Sequence, residues 1–334
     1  MASPEVRRAL ATGRLDAAVR VAFEMTGGAA RRAVHSGKIR VNGQRSVDAG
    51  FLVREGAELV LDMAAPRPVR TEPLGVRLVY RDDHVLVVDK PSGLLSSPYP
   101  EEQGPSALDA ALQLCRGVRV AKVVHRLDKL TSGLLIFART VPAARALRES
   151  IDAHRARRTY HCVVQGVPVR TEATIVSDLV ENRGDGYRGS LGGMRRILPV
   201  DAEVVLPEVG RGIESTGPGK IAVTRYRVMA TAVKGPNKSD TSAAALATGR
   251  AALEVRIETG RTHQIRIHLA EIGHPVLGEQ VYAHNDDAPR QALHAARLGF
   301  PHPFTGKWME FFSPWPRDLW GVGPQGPDWG STSG

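Results

Sequence analysis

One carboxylate in this chain, Asp128, has neighbours that suit it to chemistry. The stretch His125-Arg126-Leu127-Asp128-Lys129-Leu130-Thr131-Ser132-Gly133 sets it between cationic side chains and a Thr-Ser-Gly turn. Val123-Val124 before the stretch and Leu134 to Ala138 after it read as buried strands. The predicted loop therefore stands at the end of a rigid sheet, where reactive groups are commonly displayed. The bland reading is that an isolated loop Asp forms a turn and accepts nearby backbone N–H groups. Against it stand the neighbouring Arg126, small residues that let a substrate come close, and a fixed place at a strand end. A carboxylate held against arginine stays ionised, as a nucleophile or a general base must.

Two further elements carry candidate residues. Arg157-Arg158-Thr159-Tyr160 opens a strand in which alternation puts Tyr160, Cys162 and Val164 on one face. A tyrosine there is ordinarily core, and its functional use is to stack on a base held in a pocket. The words Thr259-Gly260-Arg261-Thr262-His263-Gln264-Ile265-Arg266 and Gly273-His274-Pro275-Val276-Leu277-Gly278-Glu279 follow a strand over Leu253 to Glu258. A helix starting near Thr262 sets Thr262, Ile265, Arg266 and Leu269 on one face and turns Arg266 inward. A buried arginine needs a partner, and Asp128 is the natural one. His263, His268 and His274 match neither HExxH nor a Cys/His finger, so no metal site is expected. Gly217-Pro218-Gly219-Lys220 lacks the P-loop spacing and no GxGxxG follows a strand, so no nucleotide cofactor is expected.

The elements that must position these residues fill a chain of 334 residues, a length that suits two domains. It is 42% hydrophobic and 24% charged, enough to bury a core. A formal charge of +10 points to a polyanionic partner. The excess of Arg over Lys fits phosphate recognition and fits a GC-rich genome equally well. Cys115 and Cys162 are too few for a disulfide framework and are expected to be reduced core residues. With no signal-like N-terminus and no long apolar run, a soluble cytoplasmic protein is expected, with monomer as the default.

Residues 14–63 read as a compact first module. Leu15, Ala18, Val19 and Ala22 share a helical face, Gly28 to Ser36 forms a second helix stopped by Gly37, and Asn42-Gly43 turns a hairpin. This order, with Arg14-Leu15-Asp16, Arg31-Arg32 and Gly37-Lys38-Ile39-Arg40-Val41-Asn42-Gly43, resembles the alpha-L RNA-binding module of a ribosomal protein and many RNA-modifying enzymes. The resemblance implies a basic patch of Arg31, Arg32, Lys38 and Arg40 against RNA backbone; the alternative is a solvated face on a linker or dimerisation domain. Residues 64–73 are Pro-rich and read as a linker, 74–320 as the main domain, and 321–334 as a frayed tail. In the main domain, Ser106 to Leu114 and Pro142 to Arg157 read as helices. Glu181 to Gly219, bearing Arg183, Arg188, Arg195 and Arg196, and Val233 to Gly249 read as inserted loops, the first as a mobile surface loop. Strands outnumber helices and hairpins join them, so the fold class is α+β with a mixed or antiparallel sheet.

The HRLD and GRTHQIR words, with Lys90-Pro91-Ser92-Gly93-Leu94 and Leu293-His294-Ala295, resemble the signature of the RluA-type pseudouridine synthases. The likeness covers Tyr80 to about Pro314. It implies Asp128 as the catalytic aspartate, Arg126 entering the RNA helix, Tyr160 stacking on a flipped uracil, and Arg266 paired with Asp128. The implied reaction turns uridine into pseudouridine in structured RNA with no cofactor and no metal. Large-subunit ribosomal RNA is the expected target, with transfer RNA as an alternative. A non-catalytic RNA-binding or ribosome-assembly factor is the competing reading, although a pure binder has no use for a carboxylate facing phosphates.

Overall fold

A computed structural model describes residues 4–36, 38–45, 49, 52–64, 73–98, 104–114, 122–206, 219–232, 249–284, 288–316 and 319. The chain divides into two compact units, Met1–Thr71 and Glu72–Gly334. Gly37, Cys115, most of 64–73 and of 233–249, and the tail 321–334 lie outside the described residues.

In the first unit, strands β1 (Glu5–Arg8), β2 (Gly13–Arg14), β3 (Ile39–Val41), β4 (Gln44–Arg45), β5 (Leu52–Val53) and β6 (Glu58–Leu61) accompany helices α1 (Leu15–Ala22) and α2 (Gly27–His35). A four-stranded sheet has the order β1-β6-β3-β4, and β2 pairs with β5. Asn42 and Gly43, at φ +48° and +79°, turn β3 back into β4. Leu15 and Val19 of α1 and Ala30, Ala33 and Val34 of α2 share a core with Ile39, Val41 and Leu59. Buried Asp16 binds Arg14 at 3.2 Å and Arg31 at 2.9 Å. Those bonds hold its carboxyl down at about 2. Arg32 and Arg40 are exposed, and Lys38 donates to the Met63 carbonyl at 2.9 Å.

Among its described residues, the second unit holds one twelve-stranded sheet. Its strands are β7 (Arg77–Arg81), β8 (Val85–Lys90), β9 (Lys122–Val123), β10 (Ser132–Ala138), β11 (Arg157–Gln165), β12 (Glu172–Val180), β13 (Gly189–Ser190), β14 (Arg196–Leu198), β15 (Lys220–Ala232), β16 (Arg250–Ile257), β17 (Leu293–Pro301) and β18 (Trp308–Phe312). The main order is β13-β12-β15-β16-β11-β17-β10-β8-β7, with β14 on β12, β18 on β17 and β9 on β10. Among the described strands all pairs are antiparallel except β10 with β17, so the sheet is mixed. β10 is buried along its whole length, and alternation splits it between two cores. Leu135 and Phe137 join Leu86, Val88, helix α3 (Ala107–Leu114) and helix α5 (Gln264–Glu271). Leu134 and Ile136 join Val85, Val87 and helix α4 (Val141–Asp152).

Three sequence expectations are corrected. The helix expected to reach Arg157 stops at Asp152, because His154 takes a left-handed φ of +56° and Arg157 enters β11. The helix expected from Thr262 starts at Gln264 and is buried on every side through Leu269, leaving Thr262 exposed. The segment after Glu181 is not a loose loop over its described part: β13 and β14 both pair with β12, at Leu179–Val180 and at Thr174–Val176.

Candidate active site

The loop carrying Asp128 leaves β9 and returns as β10, and its backbone is gripped from one side by residues 90–96. Ser96 clamps Leu127: its hydroxyl donates to the Leu127 carbonyl at 2.8 Å and accepts from the Leu127 N–H at 2.9 Å. Ser92 Oγ donates to the Leu130 carbonyl at 2.7 Å, and the Gly93 N–H donates to the Lys129 carbonyl at 2.9 Å. Lys90 is fully buried and donates Nζ to the carbonyls of Pro91, Leu94 and Lys129 at 3.0, 2.8 and 3.1 Å. Burial pulls its ammonium down to about 7, against the pull of the Asp128 charge. The Lys-Pro-Ser-Gly phrase is thus a cradle for the Asp128 loop. Gly133 follows at φ +111°, where a Cβ would collide with the Ala295 carbonyl oxygen on β17. Glycine is what lets these strands approach this closely.

Arg266, on α5, meets Asp128 as well. Its Nη1 donates to Asp128 Oδ2 at 3.3 Å. Its remaining edge forks onto Glu279, with Nε to Oε2 at 2.7 Å and Nη2 to Oε1 at 2.8 Å. The Gln291 amide, turned so that its oxygen faces the guanidinium, accepts from Nη2 and Nε at 3.0 and 3.1 Å. The Tyr282 ring lies 5.3 Å from the guanidinium carbon. Burial works against the Arg266 charge, but the bonds and charge of Glu279 outweigh it and its pKa is raised. Burial likewise works against the Glu279 carboxylate, and Arg266 reverses that to lower its pKa. Such a bidentate, charge-assisted pair is the geometry that makes a buried charge tolerable.

The start of α5 is pinned by Gln264, which explains the Thr-Gly-Arg-Thr-His-Gln wording. Its amide oxygen accepts from Thr259 Oγ1 at 2.8 Å and from the Arg261 N–H at 3.0 Å. Its nitrogen donates to the Val223 carbonyl and to Thr224 Oγ1, both at 3.0 Å. The three histidines do separate work. His263, at φ +58°, meets the Tyr282 hydroxyl at 2.7 Å. His268 bridges Ser177 and Thr224 at 2.9 Å each, and burial pushes its pKa down to about 3. His274 meets the Gln165 carbonyl at 3.1 Å.

Of the residues expected in the site, Asp128 and Arg266 are in contact. Tyr160 is 6% exposed, and burial raises its hydroxyl pKa, with the Asp128 charge adding to the rise. Arg126 is exposed, and the guanidinium that touches Asp128 belongs to Arg266. Glu279, Ser96 and Lys90 were not assigned roles from sequence. A signal for Glu279 existed: a buried guanidinium has two edges to satisfy, and one carboxylate covers only one.

Residues 84–271 match the family described as RNA pseudouridylate synthase. That span is more than half of the chain and takes in Asp128, Tyr160 and Arg266. The chain belongs to the RluA-type pseudouridine synthases. It is therefore an isomerase acting on RNA. The chain is 34% identical over 294 residues to the ribosomal large subunit pseudouridine synthase D of Zymomonas mobilis, covering 81% of this chain and 80% of that one. Its counterpart from Pseudomonas aeruginosa is 33% identical, covering 84% and 83%. The solved structure of human RNA pseudouridylate synthase domain containing 1 is similar in fold, with a TM-score of 0.51 and 23% identity over 72% of this chain and 84% of that one. The synthase match ends at the C-terminus of α5, so Glu279 lies beyond it. Among the described residues, no helix is long and apolar enough to cross a membrane.

Proposed function

We propose that this synthase isomerises uridine to pseudouridine in large-subunit ribosomal RNA, with Asp128 acting at the ribose of the target. The observation that carries the reading is the asymmetric charge cluster: Asp128 receives one Arg266 donor, while Glu279 holds the other edge of the same guanidinium. Asp128 stays half-exposed beside nearly buried Tyr160, so a base can reach it. The reaction breaks the bond from ring nitrogen to ribose, turns the base and rejoins it through carbon 5. It is redox-neutral and loses no group, so one ionised carboxylate serves, as nucleophile or as base. A stacked uridine must first leave its helix, at a cost of a few kcal/mol. In this reading exposed Arg126 fills the vacated place and Tyr160 stacks on the uracil. The names of the Zymomonas and Pseudomonas relatives support the ribosomal target.

The first unit, in the same reading, is an alpha-L type RNA-binding module. Arg32 and Arg40 are its free-facing cations, while Arg31 is engaged by Asp16. Replacing Arg32 and Arg40 together with Ala is expected to weaken RNA binding and flatten its salt dependence, at unchanged kcat.

The deciding experiment uses Asp128→Asn and wild type on transcribed large-subunit ribosomal RNA, with pseudouridine read by chemical mapping. Wild type is expected to modify discrete uridines. The variant should modify none while binding the transcript with similar affinity. An Asp128→Asn protein that still forms pseudouridine overturns the assignment. Conversion of transfer RNA alone overturns the ribosomal target.

A further inference from the structure

The edge of the sheet beyond β12 borders the site through a specific fastening. Ser190 on β13 donates its backbone N–H and its hydroxyl to the two oxygens of Glu271, at 2.8 and 2.5 Å. Glu271 closes α5, the helix that carries Arg266. Gly189 permits the approach, because a Cβ there would sit 2.5 Å from Arg183 Cδ and 3.1 Å from the Glu271 carboxylate. The hairpin loop 181–188 has its own internal bonding. Asn182 Oδ1 accepts from the N–H groups of Gly184 and Gly186, and the Arg183 N–H donates to the Tyr187 carbonyl. A loop tied down this way presents its side chains in a fixed order.

Among those side chains, Arg183 is occupied by Asp185 and Glu271. Arg188 differs. It is half-buried, two residues before Ser190 of the fastening, and its charge is felt at Tyr282, whose ring lies against Arg266, and at the His263 bonded to that tyrosine. Its ion-pair partner is Glu181, at 3.2 Å and 87% exposed. Such a pair contributes little in water and is readily exchanged for a better anion. Further along the edge, Arg195 and Arg196 stand exposed beside Met194 on a cavity of about 730 Å³ that also meets Asp178 and Ile221. The cavity opens at the outer edge of β12, which is paired to β15 on its other side and, among the described residues, carries no strand between its pairings to β14 and β13.

We propose that this edge is the wall of the RNA cleft, and that Arg188 exchanges Glu181 for a backbone phosphate next to the extruded uridine. The proposal rests on RNA being the substrate and adds the surface that grips it. A guanidinium fork suits a phosphate, and its placement on a loop fastened to α5 registers the bound strand against Asp128. Glu181 acts as a stand-in anion that keeps the fork oriented while RNA is absent. Arg195 and Arg196 continue the same cationic line for the adjoining nucleotides.

The test compares wild type, Arg188→Ala, Arg188→Lys and Glu181→Gln on transcribed large-subunit ribosomal RNA. Arg145→Ala, on the exposed face of α4, is the control for loss of one positive charge. Arg188→Ala is expected to raise KM about tenfold with kcat kept within about twofold. The slope of log affinity against log salt should fall by about 0.7. Arg188→Lys should recover part of that loss, and Glu181→Gln should bind RNA up to about threefold more tightly. The control should leave the slope unchanged. The proposal is overturned if Arg188→Ala matches the control in KM and slope, or if it lowers kcat at unchanged KM. Should the wild type modify no uridine in that transcript, the ribosomal assignment fails, and the salt slopes still decide whether Arg188 holds a phosphate.

Discussion

Arg266 gives its better contacts to Glu279, two bonds of 2.7 and 2.8 Å, and only one of 3.3 Å to Asp128. Glu279 is fully buried whereas Asp128 keeps access to solvent. A carboxylate with one long donor keeps more electron density for reaction than one locked in a fork.

Removing Glu279 should therefore cost stability first. Glu279→Ala leaves a buried guanidinium largely uncompensated, a situation that costs about 3–5 kcal/mol. The check is chemical denaturation of the full chain. A loss below about 1 kcal/mol sinks the claim that Glu279 is the main partner of Arg266. Glu279→Gln, which keeps the shape, should lose less stability yet still slow single-turnover isomerisation, since Arg266 then turns its whole charge on Asp128.

Ser96→Ala strips both the donor and the acceptor from the Leu127 peptide. Two buried backbone groups are left unpaired, at about 1–3 kcal/mol each before relaxation. Because Asp128 is the next residue, a shift of about 1 Å there lowers kcat by about a hundredfold. Single-turnover rates on RNA measure this; an unchanged rate would show that the clamp does not position the carboxylate.

Gly133 and Gly93 both have positive φ, +111° and +84°, yet only Gly133 faces a collision. Gly133→Ala meets the Ala295 backbone and should abolish soluble expression or lower the melting temperature steeply. Gly93→Ala enters open space and should cost about 1–2 kcal/mol of backbone strain alone. Equal losses in the two variants would contradict the close approach of β10 and β17.

Asp16 gives the first unit an acid limit. Its bonds to Arg14 and Arg31 hold its carboxyl at about 2, well below the usual carboxylate range. A carboxyl depressed on folding contributes stability that is complete above the unfolded pKa and lost as pH falls through the folded one. The contribution should fade between about pH 4 and pH 2. Hydrogen exchange over α1 and α2, corrected for intrinsic rates, should show protection falling across that window in wild type. Asp16→Asn should show weaker protection at pH 6 and no such fall.

Part of the candidate site's geometry was legible in the sequence, where placement depends on local pattern. The loop place of Asp128 and the buried strand face of Tyr160 were readable, and so was the buried Arg266 with its need for a partner, although its helix starts at Gln264 and is buried all round instead of on one face. The parts that escaped depend on distant pairing. Glu279 sits in what reads as a turn, and only folding brings its carboxylate under α5. Arg126 and Asp128 are sequence neighbours, but adjacency in an irregular loop does not bring side chains into contact. The Gly-rich stretch after Glu181 hid two strands of two and three residues, too short to show any alternation. Ser96 and Lys90 act through backbone carbonyls, which leave no trace in residue type at the receiving end.

The bonds from Ser92, Gly93, Ser96 and Lys90 reach Leu127, Lys129 and Leu130, the residues on both sides of Asp128. A carboxylate mounted between such fixed points has no hinge of its own. The journey in this reaction then falls to the nucleic acid. The uridine must swing out, arrive and rotate against a stationary anvil, so uridines whose local RNA structure opens most cheaply should be the ones modified fastest.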